Sequence, residues 1–88
     1  MRSDGRWAWP PMLFDNPVEK VAAFLQVMQE TDALPEFECF DVGIVRSVDM
    51  VRRAGLCRGH PHLTFVMGVE AGMPADPALL PVLIGLLP

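Results

Sequence analysis

At 88 residues the chain holds one small domain at most, and a net charge of −4 without a wide basic patch excludes a nucleic-acid surface. Hydrophobic residues make up 51% of it, more than so short a domain can hide, which implies a subunit interface or a part of something larger. The two cysteines, Cys39 and Cys57, suggest buried reduced thiols in a cytoplasmic protein and not a disulfide scaffold.

Residues 1–15 read as an irregular N-terminal segment holding Trp7, Trp9 and Pro10-Pro11. Met1–Arg6 is charged, with no apolar core behind it, so no signal peptide is expected. Residues 16–88 read as helix, strand, helix, strand, helix. Asn16-Pro17-Val18-Glu19 opens the first helix: Asn16 as cap, Pro17 at the first helical position, Glu19 toward the dipole. Val18, Val21, Ala22, Leu25 and Met28 place an apolar stripe on it. It should stop near Thr31–Ala33, because Pro35 disfavours a helical Leu34.

Pro35–Gly43 is the most informative run, alternating acids with bulky apolar residues. Phe37–Val42 reads as a short buried strand. Asp41 then caps a second helix carrying Ile44, Val48 and Val51, with Arg52 and Arg53 at its end and Gly55 past it. Arg46, Arg52, Arg53 and Arg58 read as a solvated basic face. Cys57–His62 reads as a loop. Leu63–Val69 reads as a second strand covered on both faces. Gly68, Gly72 and Pro74 shape the next loop, and Asp76-Pro77 opens a third helix with a wide apolar face from Leu79 to Leu87. Leu79–Pro88 is too short to span a membrane. Strands alternating with helices imply parallel pairing.

In parallel α/β folds chemistry gathers at the carboxyl ends of strands. Glu38 is the sharpest candidate, as a general base or a carboxylate that holds a cationic substrate group. A buried carboxylate costs several kcal/mol, roughly, unless paired. Glu38 is therefore either a solvated edge residue, a structural partner of an arginine, or a group kept for chemistry. Glu36, at the strand entrance, reads as solvated or structural, and Glu70, after the second strand, is a weaker candidate. His60-Pro61-His62 has the His-x-His form of a metal pair. It precedes its strand and has no third ligand nearby, whereas zinc takes three or four. Gly68-x-x-x-Gly72 lacks the lysine of a phosphate loop.

The run Pro35–Gly43, the apolar Phe65–Val69 and Gly72-Met-Pro-Ala-Asp76 together resemble the middle of the β-keto acid cleavage enzymes. The resemblance extends over Asn16–Pro88. It implies a (β/α)8 barrel, so that this chain is a partial TIM barrel: about two βα units, strands five and six, plus a leading helix. It also implies a zinc-dependent exchange between a 3-keto acid and acetyl-CoA, giving acetoacetate and a new CoA thioester. Glu38 matches the family's substrate-facing glutamate, with Glu36 the less favoured register. Such a barrel takes roughly 250 residues, and the segments bearing the family's metal ligands have no counterpart here. The expectation is thus a fragment that is inactive and metal-free by itself, associating with missing barrel segments or with copies of itself. The alternative is a half-barrel interaction module that completes a fold by self- or hetero-association.

Overall fold

The computed structural model describes residues 15–70 and 72–88, so the Trp7 and Trp9 segment lies outside the described residues. Helix α1 spans Val18–Glu30. Its stripe is partly used: Leu25 is buried, and Val21, Ala22 and Met28 are half-buried. The expected start needs correcting by one residue. Pro17, not Asn16, is the capping residue, with ψ 155°, and its carbonyl accepts from the N–H groups of Lys20 and Val21 at 3.0 and 3.1 Å. A proline has no side-chain acceptor, so only its carbonyl serves this cap.

Both longer helices end in the same way. After α1 the chain turns through Asp32 at φ 56°, and the Ala33 N–H donates back to Met28 O at 2.8 Å. After α2, Val42–Arg53, it turns through Gly55 at φ 76°, and the Leu56 N–H donates to Val51 O at 3.2 Å. These are Schellman closures, in which a left-handed residue lets two orphan carbonyls find donors. Glycine takes that conformation freely; Asp32 takes it at a cost of up to about 1–2 kcal/mol, softened by its short polar side chain.

Strand β1, Glu36–Cys39, pairs in parallel with β2, His62–Phe65, matching Glu36 to His62, Phe37 to Leu63, Glu38 to Thr64 and Cys39 to Phe65. Both strands are shorter than the runs Phe37–Val42 and Leu63–Val69, and each begins one residue earlier. At the end of β1 the carboxylate of Asp41 accepts from the Ile44 N–H at 2.8 Å. That cap draws Val42 into α2, leaving Phe40 as a connector. With β1 ended, β2 has no further partner. The Val66 N–H still donates to Cys39 O at 2.9 Å, and Met67 then bridges to Met73 instead.

The strands are covered on one face only, which corrects the reading of Leu63–Val69. Phe37, Cys39, Leu63 and Phe65 turn toward the helices; Glu36, Glu38, His62 and Thr64 are exposed on the other side. The core behind the first set is small. Cys39, Val45, Val48, Met73 and Leu83 are buried, and Ile44, Met67, Leu79 and Leu86 are half-buried against them. The third helical segment is less regular than expected. Asp76 accepts from the Ala78 N–H at 2.9 Å, Pro77–Leu79 forms a 3₁₀ turn, and α3 runs only over Leu80–Gly85. Of its wide apolar face Leu83 alone is buried, whereas Val82 and Ile84 remain 54% and 57% exposed. No helix among the described residues is long and apolar enough to cross a membrane.

Candidate functional site

The alternation of β1 decides which way its acids point. Phe37 and Cys39 are apolar and pack on α2 and α3, so Glu36 and Glu38 emerge on the opposite face. The same period on β2 places His62 beside Glu36 and Thr64 beside Glu38. Four polar side chains thus share one exposed face of a parallel strand pair. Glu38 lies one residue short of the end of β1, so it stands near the carboxyl rim. Because it is exposed, its carboxylate does not carry the penalty of a buried charge.

One hydrogen bond crosses this face. Thr64 Oγ1 donates to Oε1 of Glu36 at 2.7 Å, although its register partner is Glu38. The Glu36 side chain is therefore tied to the neighbouring strand, while the Glu38 carboxylate makes no hydrogen bond among the described residues. Sequence reasoning did not single out Thr64. Its only signal was one polar residue within an apolar run, and nothing in that run reveals the register with Glu36.

The loop beyond β2 is drawn against the loop beyond β1. A Cβ on Gly72 would lie 3.3 Å from Val69 O, a tight approach that glycine eases, and 3.6 Å from Phe40 O, an ordinary contact. Gly68 supplies φ 84° at the start of the turn. Glu70 sits in this loop, beyond the end of β2.

The remaining candidates separate from this face. Cys39 is fully buried on the helical side, and its thiol lies 3.7 Å from Phe37 O. Burial pushes the thiol pKa up from its ordinary value, and the nearby negative charge of Asp41 adds to the rise. It packs the core and is not placed as a nucleophile. Both cysteines are free and buried, as expected. His62 is a strand residue and not part of the loop, and it stands at the start of β2, away from the carboxyl rim. Among the described residues no group of three or more His, Cys, Asp or Glu side chains is arranged to hold a metal ion. The described residues by themselves therefore do not fit the zinc that the resemblance implies for the complete barrel. Of the arginines, Arg53 pairs with Asp49 at 2.9 Å, one turn earlier. Arg58 reaches the side-chain oxygen of Gln29 through Nε at 3.1 Å and Nη2 at 3.0 Å, the amide being oriented so that its oxygen faces the guanidinium.

Comparison with known proteins gives a consistent result. The sequence pattern of the beta-keto acid cleavage enzyme family matches residues 3–87, further toward the N-terminus than the resemblance from Asn16. A 3-oxoadipate:acetyl-CoA acetyltransferase of Cupriavidus necator is 32% identical over 72 residues, which is 82% of this chain and 25% of that protein. A 3-keto-5-aminohexanoate cleavage enzyme of Acetoanaerobium sticklandii is 32% identical over 76 residues, which is 86% of this chain and 28% of that protein. The chain thus spans about a quarter of the length of the curated relatives it matches.

Proposed function

The chain belongs to the beta-keto acid cleavage enzyme family, and from that premise we propose that it is one part of a metal-dependent (β/α)8 enzyme. The whole enzyme converts a 3-keto acid and acetyl-CoA into acetoacetate and a new acyl-CoA. In this reading β1 and β2 are neighbouring barrel strands, α2 and α3 belong to the outer helical layer, and the exposed face of the pair lines the hollow. The observation that carries the reading is the position of Glu38: on the face away from the helices, one residue from the carboxyl rim.

Glu38 acts there as the substrate-facing carboxylate. A carboxylate is an acceptor only, so it either binds a donor or cationic group of the keto acid or takes a proton from it. Phe37 and Cys39 hold its backbone against the helices, which fixes the side chain's direction. The described residues offer no ligand set for the metal, and the chain spans about a quarter of its curated relatives' length. The chain alone is therefore inactive. Incubated with zinc, acetyl-CoA and 3-oxoadipate or 3-keto-5-aminohexanoate, it is expected to form no acetoacetate above a protein-free control. Robust turnover, lost on Glu38→Gln, would show that the chain is catalytically sufficient and overturn that part of the reading.

A second reading is favoured by a separate observation. Phe24 and Val27 on α1 are each 55% exposed, and Val82 and Ile84 on α3 are exposed as well. Among the described residues the two-stranded sheet also leaves an outer edge on both strands. A half-barrel that associates through these surfaces accounts for them. Sedimentation across a concentration series is expected to reveal association, and a folded monomer at every concentration would remove this reading.

A further inference from the structure

Two glutamates share the exposed face, two residues apart on β1, yet they are not equivalent. Thr64 stands in register with Glu38 but gives its hydroxyl to Glu36. The diagonal neighbour on an adjacent strand is within reach of a side chain as long as glutamate's, and a threonine is held stiffly by its branched Cβ. Its hydroxyl is thereby aimed along the strand toward Glu36. A hydrogen bond to an ionised acceptor is also stronger than a neutral one.

We propose that Thr64 is a positioning residue that ties the Glu36 carboxylate to β2 and leaves Glu38 as the carboxylate presented to a ligand. The inference rests on the reading of this face as substrate-facing and assigns separate roles to its two acids. Glu36, with one oxygen occupied and its side chain drawn toward β2, does not compete for the donor or cation that Glu38 meets. It also stays clear of Glu38, which limits repulsion between two like charges on one strand face. Thr64 touches no reacting atom in this scheme. It acts through Glu36.

The test is differential modification of carboxylates on the intact chain, using a water-soluble carbodiimide with an amine nucleophile and reading each site by mass spectrometry. Glu38 is expected to be modified faster than Glu36 by roughly fivefold, the factor one net hydrogen bond supplies. Thr64→Val should bring Glu36 up to the rate of Glu38, and Thr64→Ser, which restores a hydroxyl, should bring back the difference. Glu19 and Glu30 on α1 serve as internal references whose rates should not change. Circular dichroism shows whether Thr64→Val keeps the fold, and where it does not, the wild-type ratio decides alone. Equal rates at Glu36 and Glu38 in the wild type, or an unchanged ratio in a folded Thr64→Val, would overturn the assignment. The readout needs no turnover, so the result stands apart from the activity assay: a catalytically active chain with the expected ratio would sink the inactivity proposal alone.

Discussion

Leu83→Ala is expected to cost about 2–5 kcal/mol, the usual penalty for hollowing a buried leucine site, and to lower the urea midpoint sharply. Among the described residues Leu83 is the largest fully buried side chain, at 0% exposure, and it closes the cluster that Cys39, Val45, Val48 and Met73 begin. It is also the only buried residue of α3, so the last helix is held chiefly through that contact. Small domains carry roughly 0.05–0.15 kcal/mol of stability per residue, so for 88 residues one such substitution removes a large share of the reserve. The comparison is Ile84→Ala, next along the same helix and 57% exposed, which is expected to change stability by about 0.5 kcal/mol or less. Urea titration of the two variants beside the parent measures the difference. Equal losses would mean that α3 is not docked through Leu83.

Stability should also fall in mild alkali through Cys39. The thiol is fully buried, and its pKa is raised by desolvation first and by the charge of Asp41 second. The sign follows from proton counting. Above the ordinary thiol value of 9.0 the unfolded chain loses this proton while the folded chain retains it. The folded state then binds more protons than the unfolded one, so raising the pH favours unfolding. The contribution is fully present below the unfolded pKa and drains away as pH climbs through the folded one, with a slope of at most about 1.4 kcal/mol per pH unit for a single proton. Urea midpoints measured from neutral pH to pH values above 9.0 should decline in the parent and lose that component in Cys39→Val, which fills a similar space without an ionisable group. The same burial is expected to slow labelling of Cys39 by a thiol reagent about a hundredfold relative to the denatured chain, since attack requires opening. An alkaline slope unchanged in Cys39→Val would assign it to other groups.

The order of elements was legible because each boundary is written in local chemistry. Asp41 and Asp76 cap helices through their own side chains, and Gly55 ends one with positive φ. These effects span three or four residues, so the sequence carries them whole. Strand length was less legible because it depends on two strands at once: β1 stops where Asp41 captures the backbone, and β2 stops where β1 no longer answers it. The same dependence hid the open face. Leu63–Val69 is apolar enough to read as covered on both sides, but only Leu63, Phe65 and Met67 meet the core.

By itself the sequence determined the kind of element at each place, the parallel α/β character, the family, and Glu38 as the residue to watch. Local sterics, caps and patterning suffice for the elements and their parallel pairing, whereas the family and the match of Glu38 to its glutamate come from the resemblance of the Pro35–Gly43 run and the two later segments. Tertiary structure alone decided that Glu36 and Glu38 share an exposed face, that Thr64 binds the first and not the second, and that Cys39 is sealed behind the sheet. Each of these depends on register, and register is set by contacts between residues far apart in the chain, such as Thr64 and Glu36.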